Sequence, residues 1–190
     1  MNSFIVIISG TSGSGKTSVV SRCAKALAAA PLVFDDYIDR ATVLQELMEW
    51  SRRGNLLADW TVPNLSDALY GLASKNKLVL VEEPFGRGRR ELSAIADLNI
   101  HLHLPLELAF ARKMLRDGSA LEKDLSGDAA WTFVRRFSQF YLDGLHHLFL
   151  EADRMACESA DLCIDARRPI QKVTADATEI IQMKVTPWLF

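Results

Sequence analysis

Eight residues near the start carry the clearest chemistry. Gly10-Thr11-Ser12-Gly13-Ser14-Gly15-Lys16-Thr17 is an unbroken G-x-x-x-x-G-K-T, the phosphate-binding loop pattern of proteins that bind nucleoside triphosphates. Its glycines let the backbone adopt conformations closed to other residues, so that successive N–H groups turn toward phosphate oxygens. Lys16 would set its charge on the β- and γ-phosphates, and Thr17 would offer its hydroxyl to Mg²⁺. Ser18 would join the first turn of a helix whose positive dipole end faces the anion. The expected ligands are therefore a nucleoside triphosphate and Mg²⁺.

Other chemistry-bearing residues cluster after short apolar runs. Asp35-Asp36 follows Leu32-Val33-Phe34, and Glu82-Glu83 follows Leu78-Val79-Leu80-Val81. Asp35 at the end of a strand could take the proton of an attacking hydroxyl or hold a metal-bound water. Asp36 would face the acceptor. Glu82 would assist Thr17 and Asp35 at the metal, with Glu83 turned to the acceptor. Arg112 and Arg116 stand four apart and share a helix face. Just before a polar stretch with two glycines, they would stabilise transferred charge from a closing lid over about 116–128. Arg87, Arg89 and Arg90 form a second basic cluster, with Arg87 the one expected to meet the acceptor. Tyr37 and Trp60 could stack on a ring. His101 and His103 alternate along a strand and His146-His147 lie on a helix, with no metal-ligand spacing around them in sequence; they read as core or surface histidines.

These residues need a scaffold that brings distant strand ends together. Phe4-Ile5-Val6-Ile7-Ile8 is too short for a helix and rich in β-branched residues, as a strand buried on both faces is. Strand, glycine loop and helix then follow in order, the helix ending at Ala28-Ala29-Ala30-Pro31. Helical spacing covers Ala41 to Arg53. Ser66 is placed to cap a helix through Leu72. Strands are expected over Lys77–Val81, Leu98–Leu104 and Leu162–Ile164, with a helix over Pro105–Leu115. A long helix starting at Asp128 carries Trp131, Val134, Phe137, Tyr141, Leu145 and Leu148. Pro169 to Ile181 reads as the last helix and Val185 to Phe190 as an apolar tail. Alternating strands and helices predict an α/β three-layer sandwich with a five-stranded parallel sheet. Ligands of such sheets sit at the carboxyl ends of the strands, which puts Asp35, Asp36, Glu82 and Glu83 on the rim of the glycine loop.

At 190 residues, without internal repeat or linker, the chain is read as one domain over 1–190. Its net charge of −2 supplies no global field for nucleic acid or an anionic membrane. Cys23, Cys157 and Cys163 are odd in number and lack C-x-x-C spacing, which argues for reduced thiols in a cytoplasmic protein and against a zinc site. The first apolar run lacks the basic flank and cleavage site of a signal peptide. A homodimer is compatible with the sequence but not specified by it.

With these residues placed, the chain resembles the P-loop small-molecule kinases, within them the uridine kinase and phosphoribulokinase-like group. The resemblance runs through Gly10 to Thr17, Asp35-Asp36-Tyr37, Asp59-Trp60-Thr61-Val62-Pro63, Glu82, Ala109 to Asp117 and Ala160 to Asp165, in the family's order over most of the chain. It implies an aspartate base at Asp35, metal help from Thr17 and an acidic neighbour, and lid arginines at Arg112 and Arg116. Thr61 and Val62 depart from the acidic residue and histidine that usually precede the loop proline, and Gly118 to Asp124 offers only Lys123 where the family lid carries further arginines. The expected activity is transfer of the ATP γ-phosphate to a hydroxyl of a small molecule, most simply a nucleoside. Two alternatives stand beside it: a nucleoside monophosphate kinase, and a GTPase-type regulatory module. Against the second, Asn76-Lys77 runs into a strand instead of forming Asn-Lys-x-Asp.

Overall fold

The β-branched run near the start can bury both faces, and it becomes the centre of the sheet. The computed structural model describes residues 3–39, 42–124 and 127–189, with the side chains of 121–127 and 189 left aside. Asn2, Ala41, residues 125 and 126 of the expected lid, and Phe190 lie outside the described residues. Five strands, β1 (Phe4–Ser9), β2 (Ala30–Val33), β3 (Leu78–Glu82), β4 (Leu98–His103) and β5 (Leu162–Asp165), form one sheet in the order β2-β3-β1-β4-β5. Every neighbouring pair is parallel, with Phe4 opposite Leu78 and Ile8 opposite Glu82. This is the five-stranded parallel sheet expected from the sequence. The helices are α1 (Lys16–Leu27), α2 (Val43–Arg52), α3 (Leu65–Ala73), α4 (Arg90–Ser93), α5 (Leu106–Asp124), α6 (Gly127–Phe140), α7 (His146–Glu158) and α8 (Ile170–Leu189).

Side chains alternate across a strand, and that alternation divides the core in two. Phe4, Val6, Ile8, Leu78, Leu80, Leu98, Ile100 and Leu102 pack on one face with Val19, Val20 and Cys23 of α1 and Val173, Ala177 and Ile181 of α8. Ile5, Ile7, Val79 and Val81 pack on the other with Leu47, Leu69, Phe137, Leu148 and Ala152 from α2, α3, α6 and α7.

Several boundaries differ from expectation, each for a physical reason. Pro31 does not end α1; Ala28 does, in a left-handed conformation at φ 50°. Pro31 lies in β2, an edge strand, where a missing N–H is tolerated. Ser66 is not a cap: Asn64 stands at the start of α3, and the Ser66 hydroxyl bonds Glu91. The polar stretch read as a loop from Asp117 is helical through Asp124, because Ala120, Glu122 and Lys123 are good helix formers and α5 packs along α6. The long helix expected from Asp128 is interrupted over Tyr141–Leu145 by a π-helical segment with Gly144 at φ 141°. Trp131, expected on its inner face, is 68% exposed. The apolar tail continues α8 to Leu189.

Gly144 is the one residue of that interruption with left-handed backbone, and a Cβ there would stand 3.3 Å from Met48 Cε. Gly144→Ala is expected to destabilise the protein by about 1–3 kcal/mol. Gly71 lies inside α3 with open space around it, so Gly71→Ala should stabilise by about 0.5–1 kcal/mol. Urea unfolding of both variants checks the pair; equal effects would contradict the backbone assignment.

Candidate active site

The site grows from the point where β1 stops. Gly10, Gly13 and Gly15 adopt φ of 142°, 97° and 97°, and the loop they shape packs tightly. A Cβ on Gly13 would stand 2.4 Å from the Ala109 carbonyl oxygen, and one on Gly10 would stand 2.7 Å from that of Leu102. Thr11 and Ser14 are buried, and among the described residues their hydroxyls have no hydrogen-bond partner. Ser12 is half-buried, while Thr17 and Ser18 are exposed in the first turn of α1.

Lys16 folds back over this loop. It is 7% exposed; its Nζ donates to the Thr11 carbonyl at 3.1 Å and stands 4.0 Å from Glu82 Oε1. Burial pushes the ammonium down from its ordinary value, while Glu82 and then Asp35 hold it up. The Thr17 hydroxyl donates to the same Glu82 oxygen at 2.9 Å. Glu82 ends β3, opposite Ile8 on β1 and Val33 on β2, so three strand ends meet at this carboxylate. The chain then turns through Phe34–Asp36, leaving Asp35 half-buried, Asp36 exposed and Tyr37 half-buried. The hydrogen bond to Asp117 raises the Arg116 guanidinium, and the charges of Asp35 and Glu82 add to the rise. Lys16, Asp35, Glu82 and Arg116 therefore share one electrostatic field.

The arrangement fits the groups the sequence implies. Positive-φ glycines, two unpartnered buried hydroxyls and a buried ammonium make a cradle for a phosphate chain. Hydroxyl and carboxylate oxygens at Thr17, Glu82 and Asp35 are the hard donors that Mg²⁺ takes.

Other expected site residues are turned elsewhere. Glu83 is fully buried: it accepts from Arg89 Nη2 at 2.8 Å and from the Phe85 amide at 3.2 Å. Burial pushes its carboxyl up and Arg89 pulls it back. Arg89, also fully buried, donates to Glu91 and to the Trp60 carbonyl, its guanidinium lying about 6 Å from the Phe34 and Trp60 rings. Trp60 thus packs in a cluster with Phe34 and Phe85. Arg87 pairs with Asp161 at 2.7 Å and Arg90 with Asp59 at 2.7 Å. Arg112 reaches the Ala166 carbonyl at 2.9 Å, across the start of the segment after β5. The sequence offered no sign of Glu91 as a partner of Arg89, because a glycine–arginine turn reads as solvated surface. Cavities of about 370 and 720 Å³ lie elsewhere, lined by none of the expected site residues.

The fold defined by this sheet and loop is that of P-loop kinases. Among solved structures the chain is similar to a shikimate kinase from Aquifex aeolicus, with 14% identity, 96% of this chain and 99% of that one covered, and a TM-score of 0.56. It is also similar to a shikimate kinase from Acinetobacter baumannii in complex with shikimate (18% identity, 97% and 94% covered, TM-score 0.51). A gluconokinase from Sinorhizobium meliloti aligns as well (15% identity, 98% and 93% covered, TM-score 0.51). No protein family model matches the sequence, and no curated protein matches it. Among the described residues no helix is long and apolar enough to cross a membrane.

Removing one member of a buried ion pair strands the other. Arg89→Met is therefore expected to destabilise the fold by about 3–5 kcal/mol, measured by urea unfolding. A loss below about 1 kcal/mol would show that Glu83 finds another partner or takes up a proton.

Proposed function

We propose that the protein is an ATP- and Mg²⁺-dependent kinase, a single domain over 1–190, that transfers the γ-phosphoryl group to a hydroxyl of a small neutral molecule, a nucleoside or similar ring. The observation that carries this reading is the meeting of Lys16, Thr17 with Glu82, and Asp35 at three neighbouring strand ends. Gly10 to Ser18 would hold the triphosphate and Lys16 its terminal charge. Thr17, Glu82 and Asp35 would hold Mg²⁺, which supplies charge neutralisation on the phosphate oxygens. Asp35 accepts the hydroxyl proton as the acceptor oxygen bonds to the γ-phosphorus and the β–γ bridge breaks, leaving ADP. Arg116 would flank the reacting charge from α5, Arg112 would leave the Ala166 carbonyl to join it, and the segment over about 116–128 would close over them. Hydrogen exchange along 116–128 left unchanged by both substrates would remove this last part.

The pairing of the arginines supports a neutral acceptor. Arg87, Arg89 and Arg90 each hold a carboxylate of this chain, so this cluster leaves little to offset a phosphate beside Asp35, Asp36 and Glu82. A neutral acceptor avoids that repulsion. The fold neighbours are themselves kinases of small molecules by name, shikimate kinase and gluconokinase, and the resemblance to the uridine kinase-like group supports a nucleoside within that class.

ADP formation should therefore be faster with uridine or cytidine than with UMP or CMP, in ATP and Mg²⁺. Asp35→Asn should retain ATP binding and lose about 10²–10⁴-fold in kcat. Faster transfer to the monophosphate would overturn the neutral-acceptor reading in favour of a nucleotide kinase, and a fully active Asp35→Asn would remove the base.

A further inference from the structure

β4 is a strand with one apolar and one polar face. Leu98, Ile100 and Leu102 enter the core over α1 and α8, while Asn99, His101 and His103 point to the side covered by α7. Two histidines at i and i+2 on a strand share a face, and α7 brings a carboxylate to them. Ligand atoms of His101, His103 and Asp153 all lie within 4.8 Å of one another.

The hydrogen bonds around His101 decide what that cluster is. The Asn99 amide nitrogen donates to the Ala156 carbonyl and to Ser159 Oγ, which leaves Asn99 Oδ1 facing the Ser9 hydroxyl. Ser9 donates its hydrogen to that oxygen at 3.0 Å. Its oxygen is then free to accept from His101 Nδ1, 3.4 Å away. A neutral ring with its hydrogen on Nδ1 carries a lone pair on Nε2. That lone pair faces Asp153 Oδ1 at 3.5 Å, and among the described residues neither atom has a hydrogen-bond partner. His101 is fully buried. A lone pair and a carboxylate oxygen held face to face in a buried place repel each other unless a proton or a metal cation stands between them, and the third ligand atom, from His103, favours the metal. The distance suits one: two ligands about 2.1 Å from a tetrahedral zinc ion stand about 3.4 Å apart. The Ser9 contact to the far ring nitrogen is the kind of hydrogen bond that fixes the tautomer of a metal-ligating histidine.

We propose that His101, His103 and Asp153 form a binding site for a divalent transition cation of the zinc class, with a fourth position open to water. Two imidazole nitrogens and one carboxylate oxygen suit zinc, cobalt(II) or iron(II) and not the hard, all-oxygen preference of Mg²⁺. His103 is exposed and gives the ion a way in. The site stands beside the glycine loop, since Ser9 immediately precedes Gly10, and it is distinct from Thr17, Asp35 and Glu82. Cys163 lies opposite His101 across β4 and β5, and Cys157 follows Asp153 by one turn of α7; their thiols are neighbours of the site, outside its ligand set.

The test is Zn²⁺ binding to the full chain, by competition with a chromophoric chelator in excess Mg²⁺, with Co²⁺ as a spectroscopic probe. One equivalent of Zn²⁺ is expected to bind, and Co²⁺ to show the visible absorption of low-coordinate nitrogen and oxygen ligation. His103→Ala and Asp153→Asn should each weaken Zn²⁺ binding by more than about tenfold with the circular dichroism unchanged, and Cys157→Ser/Cys163→Ser should retain it. Absence of binding at micromolar Zn²⁺, affinity unchanged in both ligand variants, or loss of binding in the double cysteine variant would each overturn the proposal.

Discussion

A buried ammonium at the end of the central strand is the constraint on which the rest of the structure depends. Lys16 is charged and almost wholly out of water, with the Thr11 carbonyl and the Glu82 carboxylate beside it. Leaving such a group unpaired would cost several kcal/mol, so Glu82 has to lie where β3 runs alongside β1. That in turn requires the 78–82 strand to be apolar up to its last residue. It also requires the loop to close tightly enough for a carbonyl to reach Nζ, which the positive-φ glycines permit. An anion delivered to this loop meets a cation whose hydration has already been replaced by protein dipoles.

The period of a β-strand explains why two adjacent glutamates act so differently. Leu78, Leu80 and Glu82 point to the α1 side, Val79, Val81 and Glu83 to the other. Glu82 therefore joins Lys16 and Thr17. Glu83 enters the opposite core, where Arg89 neutralises it and the Phe34 and Trp60 rings lie beside the guanidinium. The first glutamate serves the rim, and the second holds the turn after β3 in place. The same alternation makes β4 two-faced and sets its histidines toward α7.

Much of this was legible in the sequence, for reasons that can be named. The glycine loop is local: its spacing, preceding strand and following helix are contiguous, so no tertiary information is needed. The strands were legible as short β-branched runs, and the rim followed from the rule that parallel strands end on one side. What was not legible depends on partners far along the chain. Glu83 and Arg89 look like surface charges until the strand's register is known. Asp153 is 50 residues from His103, and only the packing of α7 on β4 brings them together. The helical state of 117–124 was hidden by Gly118, because packing of α5 along α6 outweighs the roughly 1 kcal/mol cost of a mid-helix glycine. Gly144 hid a break in the opposite sense, inside a pattern that was periodic on both sides.

The central claim is that Glu82, held between Lys16 and Thr17, places the metal of a bound nucleotide. Isothermal titration of ATP into the wild type and Glu82→Gln, each with and without Mg²⁺, tests it most directly. The account predicts that Mg²⁺ strengthens ATP binding to the wild type and that this gain is largely lost in Glu82→Gln, while metal-free ATP binds the variant at least as tightly. An undiminished Mg²⁺ effect in Glu82→Gln, or no ATP binding by the wild type, would contradict it.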